Sequence, residues 1–195
     1  MRDRSEVTKM QIDEDLWANR QYEVLVRFIH HLAYYRTLFQ AYTDLQIKSQ
    51  FWKYTIDAHI LRAIIDWCMV FGTDSNELHW KKVAADESTQ SAFRNYLLTA
   101  TGLSLEQWIE CRSNMMEFRN RYAAHSDIPY PPTPVMDQAL RVVTSYDDWF
   151  RNNVDAVFDE PSLQERYDRV IRTSAKPLNH AVSLGPTVEQ EYGGQ

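Results

Sequence analysis

The chain has 195 residues, of which 44% are hydrophobic and 25% charged, and these values suit one soluble globular domain with a tail. The formal net charge of −6 argues against a general electrostatic nucleic-acid binder, whose basic face usually shows in the total charge. Two cysteines provide neither a disulfide framework nor a four-cysteine zinc site. The N-terminus has no apolar core of a signal peptide, and no window reaches the roughly 18 apolar residues of a membrane span. We therefore expect a cytoplasmic protein.

Hydrophobic residues recur at intervals of three and four along most of the chain, which predicts amphipathic helices and no strand. Residues 1–12 are polar and predicted to be a flexible N-terminus. The first long helix is predicted over 13–45 and the second over 49–71. Ser49 is the predicted N-cap of the second helix, and Gly72 is its predicted stop.

A loop then leads to a short helix for which Asn76 is the predicted cap. Trp80 is expected to pack this loop onto the helices. Two further helices are predicted, one over 88–100 and one that begins at Ser104, where Gln107 completes a capping-box pattern.

The C-terminal part contains a predicted long helix over 135–157 and a shorter one over 161–172. Prolines and glycines without periodicity predict a flexible tail over 174–195. The expected fold is therefore all-α, an antiparallel bundle of four to five long helices with short accessory helices. The bundle is expected to span residues 13–160, followed by a short helix and the tail over 161–195.

Chemistry is concentrated at the end of the helix that begins at Ser104, just before a proline-rich loop. Arg119, Asn120, Arg121 and His125 lie together there. Arg121 and His125 are four residues apart and share a helical face, whereas Arg119 is six residues from the histidine. An imidazole can transfer protons and a guanidinium can bind a phosphate, a combination that suits RNA cleavage without a metal.

The segment 119–125 (RNRYAAH), at the end of a late helix in a small helical bundle, resembles the Arg-x(4-6)-His signature of the HEPN superfamily. The segments 67–74 and 78–82 also resemble the AbiU2-like branch of that superfamily. The resemblance covers roughly residues 15–157.

This resemblance implies an all-α homodimer in which two signature helices face each other in one composite cleft. It also implies a metal-independent endoribonuclease without a cofactor, from a toxin–antitoxin or phage-defence (abortive infection) system, with RNA as substrate and an antitoxin or other protein as partner. Arg119 would bind the phosphate, Asn120 would be the polar residue after it, and His125 would be the acid and base. The commonest signature has four residues between arginine and histidine. Here Arg119 leaves five and Arg121 leaves three, so both arginines remain candidates.

Two alternatives remain open. In the first, His125 and the two arginines are ordinary cations at a helix C-terminus, where positive charge is favourable. The protein is then a non-catalytic HEPN-like helical module that binds a protein or nucleotide partner. In the second, the bundle holds a metal through His31, His59 and His125, although no spacing in the sequence supports that set.

Overall fold

The computed structural model describes four segments of the chain: residues 12–84, 86–125, 132–153 and 158–184. For residues 123–125 it describes the backbone alone. The described residues are almost entirely helical, with one isolated antiparallel bridge between Ile12 and Ala84. The predicted all-α helical bundle is therefore confirmed. Within the described segments, no helix is long and apolar enough to cross a membrane.

Eight α-helices follow one another in the described chain: α1 (Glu14–Leu16), α2 (Tyr22–Asp44), α3 (Gln50–Phe71), α4 (Trp80–Val83), α5 (Glu87–Thr101), α6 (Leu105–Phe118), α7 (Met136–Asn153) and α8 (Leu163–Leu184). Two π-helical turns, Trp17–Gln21 and Arg119–His125, continue the helices beside them. In a π turn each backbone N–H bonds to the carbonyl five residues earlier, which widens the helix. The first predicted long helix is thus present, but it contains a π turn near its start.

The centre of the bundle is the antiparallel pair α2 and α3. Arg27, near the start of α2, contacts Asp66, near the end of α3, and His31 contacts His59 further along the pair. Helix α8 packs along α2, α6 packs against α3, and α5 packs against α7. The site-bearing helix α6 is therefore held by one of the two central helices.

Aromatic rings fill the core where the first π turn meets α7. Trp17 is fully buried, stacks on Phe150 with ring centroids 4.4 Å apart, and meets the edge of Tyr146 at 4.9 Å. The Tyr146 hydroxyl donates to the side-chain oxygen of Gln21 at 2.7 Å. The Gln21 amide in turn donates to the Leu78 carbonyl at 3.0 Å. This buried network connects the loop before α4 to the core. The Tyr146 hydroxyl and both polar atoms of the Gln21 side chain have hydrogen-bond partners in it, as is usual for buried polar groups.

Helix α3 ends at Gly72, as predicted, because of a close approach between backbone atoms. A Cβ at Gly72 would lie 2.3 Å from the Cys68 carbonyl oxygen, while the φ of −80° is ordinary for any residue. Arg112 of α6 donates to the Phe71 carbonyl at 3.1 Å and to the Gly72 carbonyl at 2.8 Å. The guanidinium thus satisfies carbonyls that the end of a helix leaves without partners.

The C-terminal helix is longer than predicted. The helix expected over 161–172 extends to Leu184 and passes through Pro177, which removes one backbone hydrogen bond. Packing outweighs that loss, because Val182 is fully buried. The residues that surround it form a second apolar cluster, which comprises Leu38, Ala41, Ile47 and Ile56.

Other predicted boundaries fall outside the described residues. These are residues 1–11 of the flexible N-terminus predicted over 1–12, the end of the 135–157 helix beyond residue 153, and residues 185–195 of the predicted tail. Residues 174–184 of that tail are helical and belong to α8.

Replacing Gly72 with alanine tests the close approach at the end of α3. We expect Gly72→Ala to lower the free energy of unfolding by about 1–3 kcal/mol, because the new methyl group would overlap a backbone oxygen. Urea denaturation measures this loss. The control is Gly102→Asn, since Gly102 has a φ of +69° that asparagine tolerates and its Cβ position is open. Equal stability of Gly72→Ala and the unmodified protein would contradict the packing described.

Candidate functional site

The signature residues lie where α6 widens into the π turn Arg119–His125. The capping box predicted at the start of α6 is present: the Ser104 hydroxyl accepts from the Gln107 backbone, and the Gln107 side chain accepts from the Ser104 backbone. Apolar residues recur at intervals of three and four along α6 and into the π turn. Trp108, Cys111, Met115 and Phe118 are buried, and Tyr122, the next in the series, is half-buried. The sequence thus fixes the rotation of α6, and with it the direction in which the following turn leaves the core.

The π turn changes which backbone positions share a face. In an α-helix Arg121 lies beneath His125, four residues later. In a π turn the hydrogen-bonded partners are five residues apart. The backbone of Asn120 therefore lies closer to the face that carries His125 than it would in an α-helix. The His125 side chain lies outside the described residues.

Arg119 carries a positive charge that no described carboxylate compensates. Its Nε and one terminal nitrogen donate to the side-chain oxygen of Asn120 at 3.0 and 2.9 Å. An amide oxygen is neutral, so this bidentate contact orients the guanidinium without cancelling its charge. Arg119 is half-buried and Asn120 is exposed, which leaves the pair accessible to an anion.

Arg121 differs from Arg119 because it has a charged partner. It donates to the Glu117 carboxylate at 3.1 Å across one helical turn. The two side chains are 41% and 52% exposed, so the ion pair contributes little to stability, about 0–1 kcal/mol. The ion pair matters for charge, because Glu117 offsets the positive charge of Arg121, which spacing in the sequence left as an alternative to Arg119.

Tyr122 connects the signature turn to the central helix α3. Its ring stacks on Phe118 with centroids 5.0 Å apart, and its hydroxyl bonds to the Asp57 carboxylate. Burial raises the pKa of Asp57. Beside this contact lies a pocket of about 390 Å³, lined by Asp57 together with aromatic side chains that include Tyr35 and Phe39. Asp57 therefore contacts the signature turn and also lines this aromatic cavity.

The structure brings together two histidines of the proposed metal set. The Nδ1 atoms of His31 and His59 lie 2.9 Å apart, so one imidazole donates and the other accepts. Burial lowers the pKa of both histidines, which favours this neutral pairing. Within the described residues, no third histidine, cysteine, aspartate or glutamate completes a metal-binding group.

Asp66 is a buried carboxylate on the central helix α3. Its side chain is fully buried and accepts hydrogen bonds from Arg27 at 3.1 Å and from two nitrogens of Arg62 at 3.1 and 3.0 Å. The sequence feature that could have indicated a paired carboxylate is Arg62, which lies four residues before Asp66 on an otherwise apolar helix face. The group joins α2 to α3 and has a structural role.

A second polar cluster surrounds His79, which is 1% exposed. His79, and not the predicted Asn76, caps α4: its Nδ1 accepts from the Lys81 backbone at 3.4 Å. Asn76 instead accepts from the Leu78 backbone inside the preceding turn. Because Nδ1 is an acceptor, the hydrogen of the neutral imidazole lies on Nε2. That Nε2 has no hydrogen-bond partner among the described residues and lies 3.4 Å from the Asp74 carboxylate.

Asp74 binds two cationic side chains beside this histidine. It accepts from Lys81 Nζ at 2.5 Å and from Arg112 at 2.8 Å, and the bond from Lys81 is the main reason that the pKa of Asp74 is lowered. Burial lowers the pKa of His79 to about 4, so the imidazole is neutral at pH 7. Asp74 and Arg112 are 38 residues apart in the chain, so no local spacing in the sequence indicates this cluster.

The buried His79 predicts that the protein loses stability in acid. A histidine in the unfolded chain binds a proton near pH 6.5, whereas folded His79 binds one only near pH 4. Its contribution to stability is therefore complete above pH 6.5 and is lost as the pH falls towards 4. Between pH 7 and 5 this loss amounts to about 2 kcal/mol.

The His79→Asn variant keeps a capping oxygen but has no titrating ring. We expect its free energy of unfolding, measured by urea denaturation, to fall less than that of the unmodified protein between pH 7 and 5. The exposed His180 provides the control, His180→Asn. The same fall in His79→Asn as in the unmodified protein would contradict the buried, neutral imidazole.

Comparison of the chain with protein-family models, with curated proteins and with solved structures found no match. The resemblance to the HEPN superfamily therefore stays a prediction that rests on the segments 119–125, 67–74 and 78–82. Of the predicted site residues, Arg119 and Asn120 are in direct contact, Arg121 is paired with Glu117, and His125 closes the same π turn.

Proposed function

We propose that this protein is a HEPN-like, metal-independent endoribonuclease of a toxin–antitoxin or phage-defence system, which acts in the cytoplasm as a homodimer. The observation that carries the proposal is the guanidinium of Arg119, oriented by Asn120 and without a described carboxylate partner, in the same π turn as His125. π turns often occur at functional sites, where they turn side chains out of the regular helical pattern.

In this mechanism Arg119 binds the scissile phosphate and stabilises the charge that develops on it. Asn120 holds the guanidinium in place through two hydrogen bonds. His125 removes the proton of the adjacent ribose 2′-hydroxyl, and the 2′-oxygen then attacks the phosphorus. The bond to the 5′-oxygen breaks, and that oxygen takes a proton from a water molecule as it leaves. The products are a 2′,3′-cyclic phosphate and a 5′-hydroxyl.

Arg119 is preferred to Arg121 as the phosphate ligand because of their different partners. Binding a phosphate through Arg121 would require its ion pair with Glu117 to break or the phosphate to lie near that carboxylate. Arg119 has a neutral partner and needs no such exchange. With a net charge of −6, the protein is expected to bind RNA at a specific cleft and not over its whole surface.

The ribonuclease proposal predicts different effects for the two arginines. Purified protein should cleave single-stranded RNA in EDTA, and Arg119→Gln should slow cleavage by about 10²–10³-fold, the usual loss when a charge-stabilising donor is removed. Arg121→Gln is the matched control and should slow cleavage by no more than about tenfold. The measurement is the rate at which cyclic-phosphate ends form on a labelled RNA.

His125→Ala should stop cleavage altogether, because no other group would take the 2′-hydroxyl proton. Cleavage that survives this substitution would rule out the proposed mechanism. A large loss in Arg121→Gln with none in Arg119→Gln would assign the phosphate to the other arginine.

A second candidate function is a non-catalytic helical module that associates through an apolar surface. Large apolar side chains are exposed where α2 ends and α3 begins, and we name them the hairpin-end patch: Phe39 (51% exposed), Leu45 (49%), Phe51 (67%) and Tyr54 (69%). Clustered exposed apolar groups of this kind mark interaction surfaces. We infer a second copy of the chain as the occupant, since the HEPN resemblance implies a homodimer.

The hairpin-end patch predicts a dimer that depends on its aromatic rings. We expect the double substitution Phe51→Ser and Tyr54→Ser to convert the dimer into a monomer, because both rings would lose their buried environment. Light scattering during size-exclusion chromatography measures the mass. The control is Leu184→Ser, an equally exposed apolar position on α8. A dimer that persists in the double variant would show that the two copies meet elsewhere.

A further inference from the structure

The cluster around His79 opens into a pocket separate from the signature turn. The pocket has a volume of about 240 Å³ and lies between the loop before α4 and the first turns of α6. Its lining combines cationic, aromatic and aliphatic side chains: Lys81, Arg94, Arg112, Trp80, Trp108, Leu105 and Ile109, with Asp74 and His79. Such a volume is below that of usual drug-sized sites, so it suits a small ligand.

Positive charge exceeds negative charge in this pocket. Lys81, Arg94 and Arg112 contribute three cations, and Asp74 contributes one anion. Asp74 holds Lys81 and Arg112 in place without using all their donors. Two further N–H groups of Lys81 and the second terminal nitrogen of Arg112 stay available, since an ammonium has three donors and a guanidinium five.

Arg94 is a half-buried cation of the pocket with no partner among the described residues. Its guanidinium makes no hydrogen bond and no ion pair within the part of the chain that the structure describes. A half-buried guanidinium gains most from an oxyanion, to which it can donate two parallel hydrogen bonds.

The His79 imidazole supplies an independent second observation. It lines the pocket, is 1% exposed, and its Nε2–H lacks a hydrogen-bond acceptor among the described residues. A buried donor without an acceptor costs free energy, about 1–3 kcal/mol, unless a ligand or water completes it. A phosphate oxygen in the pocket would be such an acceptor.

The outer edge of the pocket is apolar. Leu105 and Ile109, four residues apart on α6, are 45% and 57% exposed and line the same cavity as the cations. A ligand with a phosphate group at one end and an apolar portion at the other would match both parts.

We propose that this pocket binds the phosphate group of a small phosphomonoester. Arg94, Lys81, Arg112 and the His79 Nε2–H bind the phosphate group, and Leu105 and Ile109 contact its organic portion. The proposal does not depend on ribonuclease activity, because it concerns different residues and a different ligand.

Isothermal titration of the full chain with inorganic phosphate, adenosine monophosphate and adenosine tests this assignment. We expect the monophosphate to bind more tightly than phosphate, and adenosine not to bind. Arg94→Gln should weaken binding of the monophosphate about 10- to 100-fold, as expected for the loss of a charged hydrogen bond. Arg169→Gln removes the same charge from an exposed site on α8 and should leave binding unchanged.

Melting temperatures without ligand check that both variants are folded. Arg94 has no described partner to lose, so Arg94→Gln should melt as the unmodified protein does. The proposal is overturned if neither phosphate compound binds saturably, if adenosine binds as tightly as its monophosphate, or if Arg94→Gln binds as well as Arg169→Gln.

Discussion

The hydrogen bonds of Arg112 are the constraint on which both the loop before α4 and the position of α6 depend. One guanidinium satisfies the last carbonyls of α3, through Phe71 and Gly72, and also binds Asp74 in the following loop. Because Arg112 belongs to α6, these bonds fix α6 against the central helix at the point where the chain turns. The same side chain therefore holds both the loop before α4 and the first half of α6 against the end of α3.

Much of the fold was predictable because apolar periodicity reports directly on the buried face of each helix. In α6, for example, Trp108, Cys111, Met115 and Phe118 recur at intervals of three and four, and these residues form its buried face. The capping box at Ser104 was also predictable, because its two hydrogen bonds form within four consecutive residues. Local signals of this kind require no knowledge of what packs against the helix.

The features that escaped prediction depend on contacts between distant residues. Helix α8 continues through Pro177 because Val182 fills a cluster that α2 and α3 build, and no local rule contains that information. The burial of Asp66 depends on Arg27, 39 residues earlier in the chain. His79 replaces Asn76 as the helix cap because the loop is held by Asp74 and Arg112. The candidate site differs, because its contacts are local: Arg119 and Asn120 are adjacent, and Glu117 lies four residues before Arg121. The ion pair with Glu117 supports the proposal of Arg119 as the phosphate ligand.

Charge compensation gives the two proposed sites a common physical basis. In a chain with a net charge of −6, a cation selects an anionic ligand only where no carboxylate already neutralises it. Arg121, Arg62 and Arg151 each have a carboxylate one helical turn away, and they stabilise the helices they belong to. Among the half-buried cations of the described residues, Arg119 and Arg94 are the two without a carboxylate partner. The acidic remainder of the surface repels other anions, so these two exceptions can recognise a phosphate with a selectivity that a uniformly basic protein would lack.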